Sequence, residues 1–576
     1  MPPKQQAKKT EPWKAHVDLR PSAPITWFDI SGYRLLHDSL PNLNQFLKKQ
    51  DAFGTYNLDT HMTIHKWEPE ANSPANMGIL HVQPNGSDQI LPMKAFCKII
   101  PLMDTYSWIR DQKVVKEEHL GTFWRGTNED IANKYNKGYV DVLCTYLLSQ
   151  YARENHSPHF LRYFGAFRAV SDNYVYSLKE DFEDYRFRTW FWERVQHGDI
   201  TLQVKEKLSE NYLTEEEIYT VLKPDDEFLT EEDSDDEDSE SSLSESSLSS
   251  IEIETPFPDN VDGGIPDLFP IAELESVESL EITESDEVIQ MPTGGHHSER
   301  LGDDDSSSNA SDISYSDVYE INAILPCMPV VLMFSQKADG ELDKFLENSD
   351  SQIQYEKWTA WLWQIITALY QAQKNLTFTH NDLHSNNIVW CHTSLEYLYY
   401  KYNNISYKVP TYGYIFQIID FGRSIYTAQN IQSISMDFFP GYEAQGQYNF
   451  GPFYDEDYPK VFPNRSFDLC RLACSLIRSL FPENPEEKKN GKTLTKEENV
   501  IVRETVDPLF NMLWSWTKTN AGDSIFEGPL GEEKYPGFEL YSIIADTCHN
   551  AAPENQLANP CFQKYQTKEN GNWILV

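Results

Sequence analysis

The stretch His380-Asn381-Asp382-Leu383-His384-Ser385-Asn386-Asn387 has the form His-x-Asp-Leu-x-x-x-Asn and runs directly into Ile388-Val389-Trp390, an apolar strand that would anchor it. Phosphoryl transfer asks little covalent work of a protein. The phosphates and their Mg²⁺ ions must be held and neutralised, and a carboxylate must orient the attacking hydroxyl and take its proton. This loop supplies two of those parts: Asp382 as the candidate base, and Asn387 as a candidate magnesium ligand.

A second metal ligand is expected from an Asp that ends a buried strand. Phe416-Gln417-Ile418-Ile419-Asp420-Phe421-Gly422 has that form. Asp420 would chelate Mg²⁺ between the phosphates, and Gly422 would let the backbone turn away. An Asp-Phe-Gly alone is a weak signal. Behind an apolar strand, and 38 residues after an intact His-x-Asp-Leu-x-x-x-Asn, it is a specific one.

Together these segments resemble the protein kinase family, over about residues 45–175 and 321–570. The resemblance implies an α+β, bilobal protein-kinase-like fold, with a small β-rich N-lobe, a larger helical C-lobe and a disordered acidic insertion. It implies ATP and Mg²⁺ at the site, and transfer of the γ-phosphate to Ser/Thr hydroxyls of proteins. Ala95-Phe96-Cys97-Lys98 is similar to the family's Val-Ala-Ile-Lys, so Lys98 would steady the α/β-phosphates; a snorkelling edge-strand lysine is the alternative. Asp141, on a helix spanning 138–155, would be its carboxylate partner where the family uses Glu. Glu154, Glu117 and Glu118 stay open as rivals. Val331-Leu332-Met333-Phe334, followed by Asp339-Gly340-Glu341-Leu342, resembles the segment that holds adenine. Phe334 would end the strand, Ser335, Gln336, Lys337 and Ala338 would form the hinge, and Glu341 would reach the ribose. Asp468, near the start of a C-lobe helix, would bond the catalytic-loop backbone; capping its own helix is the rival reading.

Four departures qualify the resemblance. No Gly-x-Gly-x-x-Gly precedes Lys98, and Phe53-Gly54-Thr55-Tyr56 is the nearest remnant. Asn381 replaces the Arg that normally receives a phosphorylated loop residue, so activation by loop phosphorylation is not expected. His384 replaces a Lys, as in aminoglycoside and choline kinases. Between Asp420 and Asp468 there is no Ala-Pro-Glu, and Gly441-Tyr442-Glu443 is a poor stand-in. The loop, a Tyr-rich hairpin ending Val409-Pro410-Thr411-Tyr412-Gly413, and Ile-Ile-Asp-Phe-Gly-Arg-Ser resemble divergent protein-kinase-like proteins of large DNA viruses. That implies host cytoplasm or a virion. The leading function is a serine/threonine protein kinase; a small-molecule kinase and a pseudokinase scaffold are the alternatives.

Composition bounds the rest. The chain has 576 residues and a net charge of −42, which argues against a nucleic-acid or anionic-membrane surface. Between Pro224 and Glu320 there are 31 acidic residues and one basic, Arg300, so this stretch holds −30 of the −42. It is too polar to offset its ordering entropy, and it is a candidate for binding basic partners. Eight scattered cysteines fit a reducing intracellular compartment. No apolar run follows Lys4, Lys8 and Lys9, and none reaches membrane-spanning length, so neither a signal peptide nor a membrane span is expected. The expected organisation is a flexible tail (1–25), an N-lobe (26–175), the acidic insertion (176–320), the last N-lobe strand and hinge (321–338) and a C-lobe (339–576). Within it, strands are expected over 94–100, 160–170 and 329–334, helices over 138–155 and 355–373, hairpin strands over 396–420, and mainly helix after Ser466.

Overall fold

The computed structural model of the chain describes residues 14–21, 30–36, 39–47, 55–70, 76–111, 129–179, 181–207, 211–230, 315–347, 355–439, 442–448, 463–496, 501–527, 533–569, 571 and 573–576. The apolar alternation around Lys98 forms the strand Leu91–Pro101. It lies inside a seven-stranded sheet, ordered Tyr33–Leu35, Tyr163–Ser177, Tyr319–Gln336, Leu91–Pro101, Met77–Pro84, Met62–Pro69, with Thr201–Glu206 also pairing with Tyr319–Gln336. The long strand Tyr319–Gln336 organises this sheet. Its last residues are a near-continuous apolar run, Val330 to Phe334, buried from both sides as a central strand requires. Its Met333 pairs with Lys98 of the neighbour on one side, and its Ser335 with Tyr163 of the neighbour on the other.

The helix Lys137–Arg153 begins at Asn136, whose side chain accepts the Gly138 N–H at 3.0 Å. Its residues from Gly138 to Tyr151 are buried on every face, which encloses Asp141. The helix Tyr355–Leu376 is likewise buried almost throughout.

Beyond it the chain returns repeatedly to strand. Gly340–Glu341, Ile388–His392 and Tyr414–Ile418 form one sheet, and a Cβ at Gly340 would strike the Trp390 ring. Tyr397–Tyr402 and Ile405–Pro410 form a hairpin closed by Asn403 and Asn404, both left-handed (φ 46° and 62°), the two-residue turn that matches strand twist. Trp573–Leu575 adds to it in parallel. Tyr426–Ala428 pairs with Ile431–Ser433, and Thr493–Lys496 with Ile501–Arg503. The helices Phe467–Leu480, Pro508–Trp516 and Glu539–Thr547 complete this half. One apolar cluster runs through all of it.

This corrects the expected bilobal kinase-like fold. The molecule is mixed α/β, with a large β-rich part and several further sheets. Helices lie mainly in the C-terminal portion, and among the described residues no division into a small β lobe and a helical lobe is shown. The cause is visible in the sequence. Tyr- and Ile-rich runs such as Tyr397–Tyr402 favour strand, and Tyr163–Ser177 and Tyr319–Gln336 extend the sheet well past the expected strand ends.

Two boundaries also move. Residues 14–21, read as part of a flexible tail, place Ala15 and Val17 in the core and pair Leu19–Pro21 with Tyr56–Leu58. Residues 182–222, read as acidic insertion, form the helices Phe182–Tyr185, Thr189–His197 and Glu215–Leu222 and the strand Thr201–Glu206, burying Phe182, Phe191, Trp192 and Leu222. The densest acidic part, Glu231 to Ser250, lies outside the described residues, as does the rest of the segment up to 314. Among the described residues no helix is long and apolar enough to cross a membrane.

Candidate functional site

The sheet register brings the two motifs together. Ile388 opens one strand and pairs with Ile418, the last residue of its antiparallel neighbour. The loop preceding Ile388 and the turn following Ile418 therefore leave the same edge, and the Ile419 N–H donates to the Asn387 carbonyl at 3.1 Å. Asn387 and Asp420 meet by backbone geometry alone.

Lys98 reaches this edge from the large sheet. Its Nζ lies 2.6 Å from Asp141 Oδ2 and 2.8 Å from Asp420 Oδ1. Burial would lower the ammonium's pKa, but the two carboxylates outweigh it and hold the pKa above its ordinary value. Asp141 is the hub: its Oδ1 also accepts from the Phe421 N–H at 3.0 Å and from Thr145 Oγ1 at 3.2 Å. Of its rivals, Glu154 sits with Arg153 at 3.5 Å, while Glu117 and Glu118 lie outside the described residues. The edge-strand reading of Lys98 is excluded, since its strand is paired on both sides.

The loop is held by Asp468. Its Oδ1 and Oδ2 each accept the His380 N–H at 3.0 Å, and Oδ1 accepts the Asn381 N–H at 3.0 Å, so it bonds this loop. The side chain of its helix's own N-cap residue, Ser466, makes no cap bond. Burial pushes the Asp468 carboxyl up to about 6, against the pull of His380 and the backbone bonds. Asp382 follows, with its carbonyl accepting from Asn387 Nδ2 at 2.8 Å and its Oδ1 accepting from the Tyr541 hydroxyl at 2.7 Å. His384 Nε2 is 3.9 Å from Asp382 Oδ1, and burial lowers the pKa of that imidazole.

The left-handed residue after the strand is Asp420 (φ 63°), not Gly422. A Cβ at Gly422 would meet its nearest atom, Asp420 Oδ1, at 3.7 Å, an ordinary contact. Gly422→Ala is therefore expected to leave the melting temperature within about 3 °C and the transfer rate within about twofold of wild type; a collapse of either would show that the turn needs glycine.

Asn381 is also left-handed (φ 65°), wholly buried and fully used. It donates to the Arg423 carbonyl at 3.0 Å and accepts from the Tyr448 hydroxyl, and its carbonyl accepts from Gln447. Near the position where the resembled family carries an Arg for a phosphate, a cluster of ion pairs stands. Glu443 Oε2 lies 3.2 Å from Arg423 Nη2 and 3.4 Å from Lys137 Nζ, and Asp437 Oδ2 lies 3.8 Å from Arg423 Nε. This ties the segment 435–448 to the helix carrying Asp141 and to the turn after Asp420.

Burial pushes the Asp437 carboxyl up to about 6, against the pull of Lys137 and Arg423. The folded state thus holds this proton more tightly than the unfolded chain. The group's contribution to stability is full below its ordinary value of 3.8 and is lost as pH rises through about 6. Asp437→Asn removes that titration. The melting temperature of the variant relative to wild type is expected to be more favourable at about pH 7 than at about pH 4.5; equal differences at both pH values would contradict it.

The candidate adenine segment is shorter than read. Phe334, Ser335 and Gln336 are still strand, with Ser335 paired to Phe96 and Gln336 to Ala95, and the Gln336 N–H donates to the Arg162 carbonyl at 2.8 Å. Lys337 and Ala338 make the connection, Lys337 3.7 Å from Glu70. Glu341 is buried at 4% exposure, and its backbone pairs with Val389. Only Thr55 and Tyr56 of the Gly-rich-loop remnant are described; the Cys97 N–H donates to the carbonyl of Asn76, the residue before the strand Met77–Pro84.

Among the described residues no group of three or more His, Cys, Asp or Glu is arranged to hold a metal. Asn387 and Asp420 offer an amide oxygen and a carboxylate at one edge. That is the sparse, hard-oxygen set that suits Mg²⁺, which takes one or two protein ligands and completes its shell with water and phosphate. The residues fit that ion. Sequence reading missed Tyr541, Lys137 and Asp437, which sit in no local motif, and gave no role to Arg471 or to Arg423, although Arg423 lies in Ile-Ile-Asp-Phe-Gly-Arg-Ser; Glu443 was noticed only as a poor stand-in.

No protein-family profile matches the chain. The uncharacterized protein 098R of Invertebrate iridescent virus 6 is 46% identical over 66 residues, 11% of this chain and 11% of that protein. The matched stretch thus spans about a tenth of that relative's length.

Proposed function

We propose that this chain is an ATP-dependent phosphotransferase that moves the γ-phosphate of ATP to Ser/Thr hydroxyls of proteins. The observation that carries the reading is the convergence of Lys98, Asp141 and Asp420 in one ion-pair network beside a loop bearing Asp382 and Asn387. Lys98 would hold the α/β-phosphates. Asp382 would accept the proton of the acceptor hydroxyl as its oxygen bonds to the γ-phosphorus and the bond to the β-phosphate oxygen breaks, releasing ADP. Asn387 and Asp420 would hold Mg²⁺, which neutralises phosphate charge when bound.

A small-molecule acceptor is a second reading, favoured by His384, which lies 3.9 Å from the base Asp382 and whose imidazole pKa burial lowers. We also infer an intracellular setting, host cytoplasm or virion, supported by the partial likeness to an iridescent virus protein. Basic proteins are the partners that suit the charge of residues 224–320.

The test is incubation of the full chain with Mg·ATP and a panel of acidic and basic Ser/Thr peptides, aminoglycosides and choline, beside Asp382→Asn. Phosphopeptide formed only with Asp382 supports the proposal. Asp382-dependent transfer to a small molecule alone moves the reading to the second. ATP binding without Asp382-dependent transfer makes the chain a scaffold.

A further inference from the structure

We propose that Tyr541 is a positioning residue for the base Asp382, and that the helix Phe467–Leu480 holds the loop twice, once by its backbone and once through this tyrosine. The inference rests on the phosphotransfer reading above.

An Asp carboxylate turns easily about its last bond, because that torsion is broad and roughly two-fold. A base must nevertheless present an oxygen to the acceptor hydroxyl within hydrogen-bond reach. Asp382 is anchored by a group 159 positions away: the Tyr541 hydroxyl donates to its Oδ1 at 2.7 Å. That bond fixes the carboxylate plane. Burial, then the neighbouring Asp382 charge, raises the phenol's pKa to about 12, so it stays a donor across the physiological range.

Tyr541 is itself held. Its ring stacks on Phe538 (5.2 Å between centroids, 10° between planes) and packs tilted against Phe467 at 6.0 Å. The Arg471 guanidinium lies over the ring, 5.2 Å from its centroid. Phe467 and Arg471 are four apart and share a face of one helix. Asp468, on that same first turn, receives the His380 and Asn381 N–H groups. One helix therefore sets the loop's backbone through Asp468 and its reactive side chain through Phe467, Arg471 and Tyr541. Arg471 also brings positive charge near Asp382.

The experiment measures transfer to whichever peptide of the panel wild type phosphorylates fastest, for wild type, Tyr541→Phe, Asp382→Asn and the double variant. Tyr541→Phe keeps the ring and is expected to lower kcat roughly 10- to 100-fold, with KM for ATP within about twofold. In the Asp382→Asn background the same change is expected to cost nothing further, because the residue it positions is gone. Arg471→Lys keeps the charge but loses the planar stack, and is expected to lower kcat in the same direction by less. A kcat for Tyr541→Phe within twofold of wild type, or a full additional loss in the double variant, overturns the positioning role while the phosphotransfer reading stands. No Asp382-dependent transfer by wild type overturns both.

Discussion

Asp382→Asn is expected to lower the rate of phosphoryl transfer about 10³-fold, while Mg·ATP binds within about twofold of wild type. The two effects separate because the groups are separate. Lys98, Asp141 and Asp420 form one ion-pair network, whereas the Asp382 carboxylate accepts from the Tyr541 hydroxyl. Asn is the same shape, so the Tyr541 hydroxyl can still donate to its Oδ1 and the carbonyl can still accept from Asn387. What is lost is the charge that accepts a proton. Rapid-quench transfer beside calorimetric ATP binding measures both. A variant that transfers at half the wild-type rate would remove Asp382 from the chemistry; one that no longer binds ATP would show that the side chain supports the fold instead.

Asp468→Ala is expected to cost about 3–5 kcal/mol of stability, because it strips the acceptor from buried groups that have no water to turn to. The carboxylate is fully buried and satisfies the N–H groups of His380 and Asn381. Asn381 is held in a left-handed conformation (φ 65°), which costs energy unless its surroundings enforce it. With Asp468 gone, the loop loses its backbone anchor and Asn381 loses the bond that offsets its strain. A large fall in the urea midpoint, with loss of transfer at temperatures where wild type is folded, is the expected pair of results. An unchanged midpoint would mean that water or a neighbouring group replaces the carboxylate.

The site was more legible than the architecture. Asp382, Asn387 and Asp420 sit in short segments whose chemistry is local, and one strand pair carries them to a common edge. Lys98 and Asp141 were reachable because each lies on a strongly patterned element. The fold was misjudged because a lobed architecture came by resemblance, whereas the sheet grows from runs read too short. Tyr163–Ser177 continues past Val170, and Tyr319–Gln336 starts well before Pro329. The helix Glu215–Leu222 was hidden by charge, although Thr214 and Glu217 form a capping box that sequence alone announces.

What sequence could not supply is long-range pairing of polar groups. Tyr541 meets Asp382 across 159 positions, and Glu443 meets Lys137 across 306. Neither has a periodic or motif signature, since each depends on how three segments pack. The absence of the usual Arg at Asn381 was visible; the cluster of Glu443, Arg423 and Lys137 that ties the same segments was not.

The most direct measurement follows isotope from the γ-phosphate of labelled ATP into a Ser/Thr peptide, by mass spectrometry, with the full chain and Mg²⁺ present. The expected result is a labelled phosphopeptide from wild type and essentially none from Asp382→Asn. Equal labelling by both proteins, or label only in inorganic phosphate, would contradict the assignment of this loop as the site of phosphoryl transfer to protein.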